Sequence, residues 1–112
     1  MDYLVLHYSD PDGAPFDQET DDRMLAAWIS DVDRRGAVPI GNRLEPEAQA
    51  TSVRVRDDRL LVTDGPFAET KELLGFDVLH AADLDEAIEI MSRHPTLRWG
   101  RIEIRPFLVD PS

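Results

Sequence analysis

The sequence predicts an α+β domain of the ferredoxin-like type, in which an antiparallel sheet carries two helices on one face. Two segments place apolar residues at helical spacing, and several shorter segments have the alternation or apolar runs of strands. Their order is strand, helix, several strands that include a hairpin, helix, strand. The chain has 112 residues and a mass of 12.7 kDa, so we expect residues 1–112 to form a single domain.

The first helix is predicted from a capping residue, acidic residues in its first turn and an apolar stripe. Thr20 is expected to cap it, and the segment Arg34-Arg35-Gly36 is expected to end it. The residues of its apolar stripe are Met24, Leu25, Trp28, Ile29 and Val32. This spacing favours a buried helix face over a cofactor site.

The second helix is predicted from a capping box in which Asp83 takes the place of the usual Ser or Thr and Glu86 is the distal acid. We expect it to stop near His94-Pro95. Its predicted buried stripe consists of Leu84, Ala87, Ile88 and Met91.

The other predicted elements are strands. Pro39 restricts one of these segments to a sheet edge or to irregular structure, and Asp57-Asp58-Arg59 is the predicted turn of a hairpin. The predicted strands are the run around Leu4-Val5-Leu6, then 37–40, 51–56, 60–63, 76–80 and 101–105.

The first strand is apolar on both faces, whereas two helices can cover only one face of the sheet. The opposite face therefore needs another cover. We expect a second copy of the sheet to supply it, so that the protein is a homodimer.

Composition limits the function classes. The chain has 12 Lys and Arg against 23 Asp and Glu, and its net charge of −11 disfavours binding to nucleic acid or anionic lipid. The absence of cysteine excludes disulfides and thiolate chemistry. The sequence shows neither a secretory leader nor an apolar run long enough for a membrane span, so we expect a soluble cytoplasmic protein.

Residues 64–72, D-G-P-F-A-E-T-K-E, form the DGPF segment, where special-purpose residues are most concentrated. Asp64 and Lys71 are candidate catalytic residues, and a ligand site would use Asp64, Phe67, Glu69 and Lys71. Each also has a structural interpretation. Asp64 can accept backbone hydrogen bonds in the turn, Phe67 can anchor packing, and Lys71 can be a solvated cation.

The three histidines, His7, His80 and His94, lack the spacing of a zinc motif. We therefore predict no metal and no cofactor. His7 is the third candidate catalytic residue, because it lies at the end of the first strand, where a ferredoxin-like sheet can bring it close to the last strand.

The DGPF segment follows a hairpin with the pattern T-x-V-R-V-R-D, and together they resemble the YCII-related, or DGPF-domain, family. The resemblance covers Tyr3 to Phe107 and implies a dimeric α+β barrel. Most proteins of this family are uncharacterised in function. Some of them are similar to accessory proteins of extracytoplasmic-function sigma factors. A branch of the family has a proposed catalytic His-Asp pair. Arg23 and His94 stand at those two positions here, so the pair is not carried over.

Two functions of different class follow. The first is binding or transformation of a small molecule in a cleft of the dimer, which leaves open whether the protein is an enzyme. The alternative is a regulatory interaction module in sigma-factor-dependent transcription, without catalysis, in which the acidic dimer binds a basic partner protein. In a third interpretation the DGPF segment only stabilises the fold.

Overall fold

The computed structural model describes residues 1–37 and 39–109. The described chain has an α+β architecture, as the sequence predicts. Its elements are β1 (Asp2–Ser9), α1 (Gln18–Arg34), β2 (Ile40–Arg43), β3 (Thr51–Arg56), β4 (Arg59–Asp64), β5 (Leu73–His80), α2 (Leu84–Met91), α3 (Thr96–Trp99) and β6 (Gly100–Pro106).

Four strands form one antiparallel sheet in the order β2-β5-β1-β6, and β3 and β4 pair as a separate two-stranded sheet. With the β3–β4 hairpin set aside, the chain runs β-α-β-β-α-β, and β1 lies between β5 and β6. This is the ferredoxin-like arrangement. The hairpin is an insertion between β2 and β5.

The core lies between one face of the four-stranded sheet and the helices. Tyr3, Val5 and Leu79 are buried on the sheet side. The helix side contributes buried residues from α1 and α2, namely Trp28, Val32, Ala87, Ile90 and Met91. His7 continues the series Tyr3, Val5 at a spacing of two, so it lies on this same buried face.

Helix α1 begins earlier than predicted. Asp17, not Thr20, is its N-cap, because the Asp17 carboxylate accepts the backbone N–H of Thr20 at 3.1 Å. The predicted end is confirmed at Arg34, and Gly36 follows with φ +70°. Ile29 was predicted to be core, but it is 45% exposed.

Helix α2 begins as predicted. The Asp83 carboxylate accepts the backbone N–H of Glu86 at 2.9 Å. The predicted stripe is partly wrong, because Leu84 and Ile88 are exposed whereas Ile90 is buried. The helix ends at Met91. The short helix α3, which the sequence analysis did not predict, follows before β6.

Strand β2 lies at the edge of the sheet, as the proline predicts, although it begins at Ile40. Within the predicted 37–40 strand, Val38 lies outside the described residues. The hairpin is confirmed, but its turn has two residues, because Arg59 already belongs to β4. Asp57 and Asp58 have φ values of 51° and 61°, as a two-residue type I′ turn requires.

The β3–β4 hairpin carries many exposed apolar side chains: Val53, Val55, Leu60, Leu61 and Val62. The radius of gyration is 16.4 Å, whereas a compact domain of this length has about 13 Å. The β3–β4 hairpin, which pairs with no strand of the four-stranded sheet, contributes to this difference.

On the sheet face opposite the helices, β1 and β5 are apolar, whereas β6 carries charged residues there. Leu4 pairs with Val78, and Leu6 pairs with Phe76 across β1 and β5, and all four are half-buried. The prediction that a second copy covers this face stays a prediction. Among the described residues, the helices are too short or too polar to cross a membrane.

Candidate functional site

A cavity of about 600 Å³ lies where α1, the α3 region and the ends of β1, β2 and β5 meet. Much of its wall is apolar or aromatic, including Phe16, Trp28 and Trp99. Its polar residues are His7, Asp21, Asn42, Arg43, Asp77, His94 and Thr96. This volume falls within the range of sites for small organic ligands.

His7 and Asp77 meet because of the β1–β5 register. Val5 is the partner of Asp77, and His7 is the partner of Gly75, so His7 and Asp77 are diagonal neighbours on one face. Nε2 of His7 lies 2.7 Å from Oδ2 of Asp77. Because a carboxylate only accepts hydrogen bonds, Nε2 is the donor.

Gly41 on β2 leaves room for the Asp77 carboxylate. It is the cross-strand partner of Asp77. A Cβ atom at position 41 would lie 2.3 Å from Oδ1 of Asp77 and 2.1 Å from the carbonyl oxygen of Phe76. Only glycine fits this position without a shift of the strand.

Thr96, at the start of α3, contacts the other side of the His7 ring. Its Oγ1 lies 3.0 Å from Nδ1 of His7, and both residues are buried. A threonine hydroxyl can donate or accept. Thr96 can therefore pair with His7 whether or not Nδ1 carries a proton.

His94 is held in one tautomer. Its Nδ1 accepts the backbone N–H of Thr96 at 3.1 Å. Its ring centroid lies 4.6 Å from that of His7 and 4.7 Å from that of Trp28. Burial, with a smaller effect of the nearby His7, lowers the pKa of His94 to about 4. At neutral pH the ring is thus uncharged, and its one proton is on Nε2.

Two polar atoms at this site lack a hydrogen-bond partner among the described residues: Nε2 of His94 and Oδ1 of Asp77. Within the described part of the chain, every fully buried side-chain nitrogen or oxygen is paired. Both unpaired atoms therefore reach accessible space, and the residues that carry them line the cavity. A donor and an acceptor are thus available to a ligand.

Asp21, near the start of α1, organises the wall of the cavity. Its carboxylate accepts the indole N–H of Trp99 at 2.8 Å and lies 3.7 Å from the exposed guanidinium of Arg43. Trp99 also contacts Phe16 edge to face, with 5.4 Å between ring centroids. These contacts position two aromatic rings and one cation around a potential ligand.

His7, Asp77 and His94 each have one potential metal-ligand atom, and these three atoms lie within 4.8 Å of one another. Two imidazoles and a carboxylate are a known ligand set for divalent transition metals. Here, however, Nδ1 of His94 is occupied by a backbone N–H, and Nε2 carries the proton. Both nitrogens of His7 are engaged as well. A metal would have to break these bonds, and the predicted lack of a metal stays a prediction.

Of the site residues predicted from the sequence, His7 lines the cavity. The cavity lining does not include Asp64, Phe67, Glu69 or Lys71, and all four are exposed. The guanidinium carbon of Arg54 lies 5.6 Å from the centre of the Phe67 ring. Thus His7 lies at the cavity, whereas the four predicted ligand-binding residues of the DGPF segment do not line it.

Backbone contacts hold the turn of the DGPF segment. Gly65 has φ +94°. Its N–H donates to the carbonyl of Ala50 at 2.7 Å, and its carbonyl accepts the hydroxyl of Ser52 at 2.6 Å. The sequence predicts that Asp64 can accept backbone hydrogen bonds here. Among the described residues, Ala50 and Ser52 hold the turn instead, through their hydrogen bonds to Gly65.

Asp77, Thr96 and His94 were not among the site residues predicted from the sequence. One signal was available for Asp77, since it is a lone acid between Phe76 and Val78 in an apolar strand. An acid there must be paired or functional. Thr96 gave no comparable signal.

Comparison with known proteins agrees with the sequence pattern. A family model for the YCII-related domain matches residues 1–109. An uncharacterised protein of Rhizobium meliloti (strain 1021) is 36% identical over 116 residues, which cover 95% of this chain and 91% of that protein. The chain therefore belongs to the YCII-related family.

Proposed function

We propose that the protein binds a small organic molecule in the cavity and that His7 and Asp77 transfer a proton to or from it. The main support is the 2.7 Å contact between Nε2 of His7 and Oδ2 of Asp77, at a cavity wall. A histidine paired with a carboxylate is a common acid–base unit in enzymes. The protein would then be an enzyme.

The surroundings of the pair suit this role. His7 is 6% exposed, so its interaction with Asp77 is less screened than one on the surface. Thr96 can accept from or donate to Nδ1, so it tolerates a change in the protonation of His7. A proton can therefore move without leaving a buried polar atom unpaired.

A ligand screen tests this function. Thermal shifts and NMR shift changes would be measured with a library of small aromatic and alicyclic compounds, for the wild type, His7→Asn and Asp77→Asn. We expect compounds that perturb the resonances of Trp28 and Trp99, and we expect both variants to alter the pH dependence of their binding. His80→Asn is the matched control, because His80 forms an exposed pair with Asp2 at 2.8 Å. Binding that is identical in all four proteins at every pH would refute the role of the pair.

The DGPF segment stays a second candidate ligand site. Its support is the clustering of Asp64, Phe67, Glu69 and Lys71 beside a constrained turn. Lys71→Ala and Asp64→Asn in the same screen distinguish it from the cavity. If neither variant changes any ligand-induced melting shift, this site is excluded.

The alternative function, a regulatory module that binds a transcription protein, has its own support. The hairpin exposes apolar residues, and the net charge is −11. The test is a pull-down at low salt with the wild type as bait. It would be compared with a pull-down by the double hairpin variant Val53→Lys/Leu60→Lys. Recovery of a sigma factor by the wild type alone supports this function, and its absence in both argues against it.

A homodimer is also part of the proposal. The half-buried apolar face of β1 and β5 and the exposed hairpin both offer surface to a second copy. Size-exclusion chromatography with light scattering is the test. A single species near 12.7 kDa at micromolar concentration would exclude the dimer.

A further inference from the structure

We propose that the molecule bound in the cavity is a carbonyl compound with an acidic C–H next to the carbonyl, and that Asp77 and His94 enolise it. This inference rests on the proposed proton transfer and specifies its substrate class. Asp77 would remove the proton through Oδ1, while Nε2–H of His94 would hold the carbonyl oxygen.

The first support is that, among the described residues, one hydrogen-bond acceptor, Oδ1 of Asp77, and one donor, Nε2–H of His94, are both free to bind a ligand. Oδ2 of Asp77 accepts from His7, which leaves Oδ1 open. Nδ1 of His94 accepts from Thr96, which leaves Nε2–H open. Asp77 and His94 approach each other closely enough to share a ligand. The fragment H–C–C=O presents a hydrogen to a base at one end and an oxygen to a donor at the other.

The second support is the rigidity and charge of His94. Its ring is fixed by the bond from Thr96 N–H and by contacts with His7 and Trp28. An uncharged imidazole that donates through a fixed N–H can stabilise a developing enolate oxygen without reorientation. His94 would act as an electrophile and not as the base.

The third support is the apolar part of the wall. Trp28 and Trp99 present aromatic surface, so the body of the substrate is expected to be apolar and planar. Arg43 is an exposed cation on the same wall, and it can bind an anionic substituent that projects toward solvent. A flat cyclic ketone satisfies these conditions.

The step is balanced without an external oxidant or reductant. Oδ1 of Asp77 forms a bond to the hydrogen as the C–H bond breaks, and that electron pair forms the C=C bond. The carbonyl π pair moves to the oxygen, which accepts the hydrogen bond from His94. Asp77 then returns the proton to the same carbon or to a conjugated one. The outcome is hydrogen exchange or isomerisation.

The test is deuterium exchange with 2-tetralone as the probe. The ketone would be incubated in D₂O with the wild type, and the loss of its α-hydrogen NMR signals would be followed against a protein-free control. We expect faster exchange with the wild type. Asp77→Asn should lower the catalysed rate constant by about 10²- to 10⁴-fold, with a smaller change in the concentration for half-maximal rate.

Variants of His94 separate donation from packing. His94→Phe removes the donor and should lower the rate constant by about 10²- to 10³-fold. His94→Gln keeps an N–H donor and an acceptor for the backbone of Thr96, so it should restore part of the rate. A long-range ¹⁵N–¹H spectrum should show wild-type His94 protonated on Nε2 alone at neutral pH. This spectrum tests the proposal even if His94→Phe does not fold.

Several results would overturn the inference while leaving the proposed function intact. One is binding of 2-tetralone in the cavity without catalysed exchange, and another is a His94 proton on Nδ1. Equal catalysed exchange by wild type and Asp77→Asn would contradict the role of Asp77 in both proposals. If 2-tetralone does not bind, but the binding of other compounds depends on His7 and Asp77, the proposed carbonyl substrate is wrong. The proposal of proton transfer by His7 and Asp77 then still stands. If no compound binds the cavity, both proposals fail.

Discussion

His7 and Asp77 form a pair that is sheltered by the fold, with 2.7 Å between Nε2 and Oδ2 and only 8% and 17% of the two side chains exposed. His80 and Asp2 form a pair of similar length at 2.8 Å, but their side chains are 76% and 59% exposed. The same two residue types therefore occur at nearly the same distance in two different environments. This makes the second pair an internal control for the first.

Asp77→Ala should destabilise the fold far more than Asp2→Ala. The first change leaves the buried N–H of His7 without a partner, which costs about 1–3 kcal/mol. The second removes a solvated pair and should leave stability nearly unchanged. Urea unfolding of both variants and the wild type is the measurement. Equal losses would show that burial does not distinguish the two pairs.

Acid should destabilise the protein through His94. In the folded protein the pKa of His94 is about 4, below its ordinary value of 6.5, because of burial. The unfolded chain therefore binds the proton first, so the stabilising contribution is complete above pH 6.5 and is lost as the pH falls toward 4. The full loss is on the order of 3 kcal/mol.

His94→Gln isolates this effect from other groups around the ring, which include His7, Asp77, Asp21 and Arg43. The difference in unfolding free energy between wild type and variant should shrink as the pH falls from 6.5 to about 4. A difference that is constant across this range would contradict a depressed pKa.

Gly41→Ala should destabilise the fold and disturb the Asp77 carboxylate. The new Cβ would lie within 2.3 Å of both the Phe76 carbonyl oxygen and Oδ1 of Asp77. Gly36→Ala is the control, because Gly36 has φ +70° but an added Cβ atom would meet no neighbouring atom within 4 Å. The control should lose about 1 kcal/mol from backbone strain. The Gly41 variant should melt lower still and bind cavity ligands less well, which thermal unfolding with and without ligand would measure.

Ser52→Ala should weaken the DGPF turn without affecting the cavity. The change leaves the Gly65 carbonyl without its 2.6 Å hydrogen bond, a loss of about 1 kcal/mol. Melting temperature and cavity-ligand affinity would be measured together. A lower melting temperature with unchanged affinity supports a structural role of the segment, whereas a large loss of affinity would couple it to the site.

Local patterns account for what the sequence predicted well. The hairpin turn at Asp57-Asp58 and the cap at Asp83 depend on residues within a few positions of one another. The Thr20 cap was wrong because Asp17, three residues earlier, has the same capping chemistry and a geometry that reaches Thr20 N–H. The Ile88 prediction was wrong because helical periodicity cannot show which edge of a stripe faces the sheet.

By itself, the sequence determined the family through the DGPF segment. It also determined the α+β class and the order of the elements apart from α3, because periodicity, caps and turns act over short distances along the chain. Only the tertiary structure brought together His7 and Asp77, 70 positions apart, and His7 and Thr96, 89 positions apart. Strand register and helix placement decide such contacts, and both depend on packing across the whole domain. For that reason the sequence predicts a site in the DGPF segment, whereas the structure supports a site in the cavity.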